Sequence, residues 1–143
     1  MGLPGQPDTE LIFITENGPS TDDEINVLLP GANYGWPEVV GVVSKNGFED
    51  PLATFTPNIA PIGMVFYTGN SLPVEYHGNL FLGDWNTESL RRVVLQETSL
   101  AQRIEVAIRL EGQGILDVVN GPDGHLYFST PGTIYRVVVD DTQ

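Results

Sequence analysis

Three consecutive carboxylates, Asp22-Asp23-Glu24, follow closely on a Gly18-Pro19 pair. Adjacent like charges raise the cost of ionising one another, and one bound cation relieves all of them. A site made only of oxygen donors suits a hard cation such as calcium. The same triplet reads as readily as a solvated acidic turn, because the chain carries 19 Asp and Glu against 6 Lys and Arg, a net charge of −13. That balance argues against a nucleic-acid partner, whose phosphates need Lys and Arg. With no cysteine there is no disulfide and no thiolate metal site. The two histidines offer no evident general base: His77 precedes Gly78 in a turn, and His125 opens a strand after Pro122-Asp123-Gly124. Both read as surface turn residues.

The elements that must position these groups are short strands. Gly (16) and Pro (11) recur in pairs such as Pro30-Gly31, Gly121-Pro122 and Pro131-Gly132, which break helices and mark turns. Three segments share one pattern, an apolar strand, a polar turn and a second β-branched strand. They are Leu11–Ile14 with Glu24–Leu28, Gly78–Leu82 with Leu90–Val94, and Gly124–Phe128 with Ile134–Val138. The second and third copies lie 46 residues apart (Leu80 to Leu126), close to the length of one propeller blade. The spacing therefore predicts a partial blade plus loop over 10–43, a connecting insertion over 44–62, a full four-stranded blade over 63–110 and a three-stranded partial blade over 111–139. Arg103–Leu110 alternates as a strand, in competition with a short helical turn over Gln96–Val106. An all-β sandwich is the competing fold. No apolar run reaches the ~20 residues of a membrane span, and Met1–Thr9 has neither the charged nor the apolar region of a signal peptide.

Three blocks carry a family resemblance. Thr15–Gly41, TENGPSTDDEINVLLPGANYGWPEVVG, resembles the E-x-G-P…DEIN…G-x-NYGWP signature of the glucose/sorbosone dehydrogenases. Thr56–Tyr67, TPNIAPIGMVFY, and Asp117–Tyr127, DVVNGPDGHLY, resemble two later blocks of the same family, in the same order. The resemblance implies the C-terminal part of a six-bladed β-propeller. It also implies a periplasmic or secreted enzyme that holds pyrroloquinoline quinone and calcium above the ring and oxidises an aldose to its lactone. Gly18 and Pro19 match the pair whose carbonyls hold the cofactor's calcium. Glu24 and the carbonyl of Tyr34 match the ligands of a second, structural calcium in some members. Tyr34 and Trp36 belong either to a loop near the top of the ring or to the core beneath that loop. The missing blades would come from an upstream segment or from other copies of the chain.

The chain departs from the family pattern where the quinone's three carboxylates need cations. Asn86 stands at the cofactor-binding position of a family lysine, and Gly114 and Leu116 replace both arginines of an R-x-R-D-V block, with Asp84 adding negative charge nearby. Each charge-assisted hydrogen bond so lost is worth roughly 1.5–3 kcal/mol. Arg91 and Arg92 fall within a strand, where only a register change would let them substitute. The family's general-base histidine has no counterpart, so no catalytic residue is assigned. Three functions follow. One is part of a quinone-dependent aldose dehydrogenase. Another is a calcium-stabilised propeller that binds a carbohydrate-like ligand without catalysis. The last is a set of blades that assembles with its own copies.

Overall fold

The computed structural model describes residues 11–95 and 101–140, with the side chains of 101 and 102 left outside. The readings made for Met1–Thr9, and for Gln96–Val106 before Ala101, lie outside the described residues. Ten strands follow in order: β1 (Ile12–Glu16), β2 (Asp23–Leu28), β3 (Ala53–Phe55), β4 (Pro61–Phe66), β5 (Leu80–Asp84), β6 (Ser89–Leu95), β7 (Ala101–Arg109), β8 (Asp117–Asn120), β9 (Leu126–Ser129) and β10 (Ile134–Arg136). They form three antiparallel sheets in the orders β1-β2-β3, β4-β5-β6-β7 and β8-β9-β10. The only helical element among the described residues is a single 3₁₀ turn, Val74–Tyr76. The architecture is all-β, three successive propeller blades. The stretch 44–62 is more than a connection: it contains β3, which pairs with β2 through Asp23–Phe55, Glu24–Thr54 and Ile25–Ala53.

The middle sheet is covered on both faces, and its alternation divides two cores. Leu80 and Leu82 of β5 turn toward the first sheet and pack with Ile25, Ala53, Phe55, Ile59 and Val93. Phe81 turns the other way, into a cluster with Tyr67, Leu90, Ile115, Val118, Leu126 and Phe128. Successive strand residues point to opposite faces. A strand buried on both therefore reads as an unbroken apolar run, as Leu80–Leu82 does. β8 packs on β4 and β5, and β4 in turn packs on β1, so β1 stands to the middle sheet as β5 stands to the last. Phe13 of β1 meets Phe66 of β4 edge-on, with ring centres 5.1 Å apart. The outer faces are also apolar in places: Ile12 is 59%, Val119 47% and Ile134 76% exposed.

Close approach of the blades depends on Gly63. The β4–β5 register slips between Ile62 and Met64, and Gly63 at this bulge has φ +60°. A Cβ there would lie 2.6 Å from Asp117 Cα and 2.9 Å from Val118 N. Gly63→Ala therefore meets both a left-handed backbone, costing about 1–2 kcal/mol, and the backbone of β8, costing about 1–3 kcal/mol more. Gly31→Ala, at φ +75° with open space around it, meets the first cost alone. Urea denaturation of the two variants should show the larger loss at Gly63; equal losses would mean that β8 does not sit on the bulge.

Candidate functional site

The loops after β1 and β5 and those before β4 and β8 gather at one end of the sheets, around Asp23. This residue is fully buried. Its Oδ1 accepts from Gly18 N at 2.8 Å, and its Oδ2 accepts from Ile59 N at 2.7 Å and Ala60 N at 2.6 Å. Ala60 takes φ +49°, which helps turn two successive N–H groups onto one carboxylate, as in an anion-binding nest. The same two residues pass the connection on, since Trp85 N donates to Ala60 O (3.3 Å) and Asn86 N donates to Ile59 O (3.0 Å). One buried carboxylate thus ties the first blade's loop to the second blade's.

Gly18 and Asn86 are brought together through a residue the motif reading passed over, Asn58. Its Nδ2 donates to Gly18 O at 3.1 Å, and its own carbonyl accepts from Asn86 Nδ2 at 3.0 Å. Asn58 Oδ1 is buried without a hydrogen-bond partner among the described residues. Asn58 is the one variable position inside the quoted TPNIAP block, which was the available signal. Gly18 itself is required by space, because a Cβ would lie 2.9 Å from Asp22 O. Pro19 is exposed beside it.

Glu24 lies on the other face of β2. It is 5% exposed, and its Oε1 accepts from Gly41 N at 2.7 Å and its Oε2 from Asn26 Nδ2 at 3.0 Å. Asn26 is fully buried, and its Oδ1 has no partner. Glu16 pairs with Glu24 across β1 and β2; partial burial, and then the Glu24 charge, hold its carboxyl above the ordinary range. Asp22 is different: hydrogen bonds from Thr56 and then Thr21 hold it below that range. The triplet is therefore not a solvated turn, since Asp23 and Glu24 are both buried and only Asp22 is near the surface.

Several other readings change. The Tyr34 hydroxyl donates to Val27 O (2.7 Å) and accepts from Leu29 N (2.8 Å), at the end of β2 away from Gly18. No hydrogen bond among the described residues joins it to Glu24. Trp36 is 59% exposed and is not core. Asp84 does not face a ligand: it is buried beneath the 85–88 turn, accepting from Thr87 N (2.7 Å) and from Arg91 Nε (2.6 Å). His77 and His125 sit in turns at the opposite end, half-buried. His77 Nε2 lies 3.0 Å from Leu72 O, and His125 Nδ1 lies 3.2 Å from Asp123 Oδ2.

Two groups implied by the family pattern can be tested against these residues. For calcium, the described residues hold no group of three or more His, Asp or Glu placed to bind a metal ion, but Asn58 and Asn26 each keep a buried Oδ1 without a partner among them, an oxygen donor of the kind calcium takes. Pyrroloquinoline quinone does not fit. Its carboxylates need cations, but Asn86 is neutral, Gly114 is buried under Trp85 and Leu116 is apolar.

A family model described as Glucose / Sorbosone dehydrogenase matches residues 1–136. Aldose sugar dehydrogenase YliI of Escherichia coli is 28% identical over 142 residues, covering 90% of this chain and 38% of that protein. A crystal structure of glucose dehydrogenase superposes with TM-score 0.83 at 31% identity, covering 94% of this chain and 43% of that one. The PQQ-bound form of aldose sugar dehydrogenase from Streptomyces coelicolor gives TM-score 0.68 at 27% identity, with 86% and 34% covered. The chain spans little more than a third of the length of the curated relatives it matches over most of its own.

The Asp23 arrangement predicts an asymmetric response to amide substitution. Asp23→Asn removes the charge from three N–H bonds and points an NH₂ at a donor, so it should cost about 3 kcal/mol of stability. Asp22→Asn, at the surface, should cost less than about 0.5 kcal/mol. Chemical denaturation compares the two, and a small loss at Asp23 would show that its carboxylate does not hold these loops.

Proposed function

This chain belongs to the glucose/sorbosone dehydrogenase family, and from that membership we propose that it builds the C-terminal part of an aldose dehydrogenase-like propeller, with a calcium-supported ligand face for a sugar. The observation that carries this reading is the meeting of Gly18, Asn58 and Asn86 from three loops at one end of the sheets. Calcium there would take the carbonyls of Gly18 and Pro19. A second ion would take Glu24 with the Tyr34 carbonyl. Carbonyls and side-chain amides also suit the hydroxyls of an uncharged sugar, which both donate and accept.

The remainder of the ring is the implied protein partner, from an upstream segment or from other copies of the chain. The apolar outer faces at Ile12, Val119 and Ile134 support that partner, because isolated blades do not keep such faces in water. Like its family, the protein is proposed to work in the periplasm or outside the cell. No helix among the described residues is long and apolar enough to cross a membrane.

Quinone-dependent oxidation of an aldose to its lactone is a second reading for a completed ring alone, whose other blades would have to supply the cations that Asn86, Gly114 and Leu116 do not. It is favoured by the PQQ-bound form of the Streptomyces neighbour. It requires a proton-accepting residue from outside this chain, since His77 and His125 lie at the far end of the sheets.

The calcium reading is tested by thermal melting after chelation. Added calcium should raise the Tm by several degrees, as expected when a ligand binds only the folded state. Glu24→Gln, which keeps the hydrogen-bonding shape but removes the charge, should lose most of that rise. Calorimetry with an aldose in the presence of calcium should show binding that Asn58→Ala weakens. An unchanged Tm on adding calcium would remove the calcium sites, and no aldose binding would remove the sugar face.

A further inference from the structure

Trp85 projects from the turn after β5 and is 40% exposed. Its ring lies over Gly114, where a Cβ would come within 2.6 Å of Trp85 Cδ2 and 2.8 Å of Trp85 O. Position 114 therefore admits no side chain while Trp85 is present. Beside it, Leu116 is 38% exposed and Asn86 is exposed. The surface between the second and third blades is thus an indole, a leucine and an amide.

Of the chain's six cations, five are committed to carboxylates or lie elsewhere. Arg91 is committed to buried Asp84, and Arg92 to Glu105, Asn79 and the Glu75 carbonyl. Arg103 pairs with Glu105, and Lys45 with Glu38 in the long loop after β2. Arg109, on the outer strand beside Ser89, is at the ligand end and donates to Thr87 O at 3.3 Å. Arg136 pairs with Tyr127 across β9 and β10, near the far end. Two carboxylates, Asp22 and Asp117, lie at the ligand end. Among the described residues, an anion approaching that end meets these carboxylates and one exposed cation, Arg109 on the outer strand, with none at 86, 114 or 116; carboxylates are held most tightly by charge-assisted bonds.

We infer that Trp85, by closing position 114 to any side chain, makes the ligand face built by this chain one that accepts an uncharged ligand and rejects the tricarboxylate quinone. The inference rests on the reading of this end as the ligand face. It concerns which chemical class the face admits, whereas calcium binding concerns its support.

The test is calorimetric titration of the full chain with pyrroloquinoline quinone in excess calcium. The native chain should show no saturable binding in the micromolar range. Asn86→Lys with Leu116→Arg leaves Trp85 on Gly114 and should gain quinone affinity, roughly tenfold or more for each cation restored. Adding Trp85→Leu with Gly114→Arg should raise it further. Circular dichroism identifies the variants that are folded, and the first pair keeps the test valid if the second fails to fold. Saturable, calcium-dependent quinone binding by the native chain would overturn the inference, as would a folded Asn86→Lys/Leu116→Arg variant with no gain. Either result leaves the calcium-induced Tm shift, and the reading it tests, untouched.

Discussion

The loops of the ligand end depend on one buried charge. Asp23 has no cation beside it; three backbone N–H groups take the place of one. Burying a carboxylate is costly unless it is fully hydrogen-bonded, and the cheapest donors in a turn-rich sheet are N–H groups left over where strands end. Asp23 collects such donors from the β1–β2 loop and from the approach to β4. It thereby satisfies itself and fixes the spacing between two blades. The carbonyls of Ile59 and Ala60 are then free to receive Trp85 and Asn86. The position of Gly18 relative to Asn58 and Asn86, and with it the geometry of the whole ligand end, follows from that one carboxylate.

The opposite end is tied by a neutral group used in a similar way. The Tyr67 hydroxyl donates to Gly124 O at 2.8 Å and accepts from Ser71 N at 2.8 Å and Leu72 N at 2.9 Å. The second and third blades are therefore joined below by a phenol, and the first and second above by a carboxylate. Between these ties the contact is apolar and close, as the Gly63 bulge and the Gly83 approach to Ile115 show. Ties at both ends fix how the loops of neighbouring blades sit against one another.

Much of the fold was legible because strand alternation and Gly-Pro punctuation are local signals. β6 and β9 lie where the repeat placed them, at Ser89–Leu95 and Leu126–Ser129. β3 was not legible: three residues in a loop-rich stretch give no periodicity, and pairing with β2 alone makes them a strand. The site was legible in its members but not in their roles. Sequence showed three adjacent carboxylates without showing that strand alternation sends Asp23 to one side of β2 and Glu24 to the other. It offered Asp84 as a repulsive charge, whereas Arg91, seven residues on, neutralises it across the β5–β6 pair. Asn58 and Trp85 were missed because their roles come only from contacts with other loops.

The two groups that the family resemblance implies make different demands on the chain. A calcium site built on main-chain carbonyls survives side-chain change, because the turn presents its oxygens whatever the neighbouring residues are. A tricarboxylate site depends on long cationic side chains, and each is lost by one substitution. Once position 114 has no side chain, the space is open to the neighbouring loop, and an indole that fills it gains burial and dispersion contacts. Trp85 packed on Gly114 couples the two positions: any side chain at 114 requires displacing Trp85 as well.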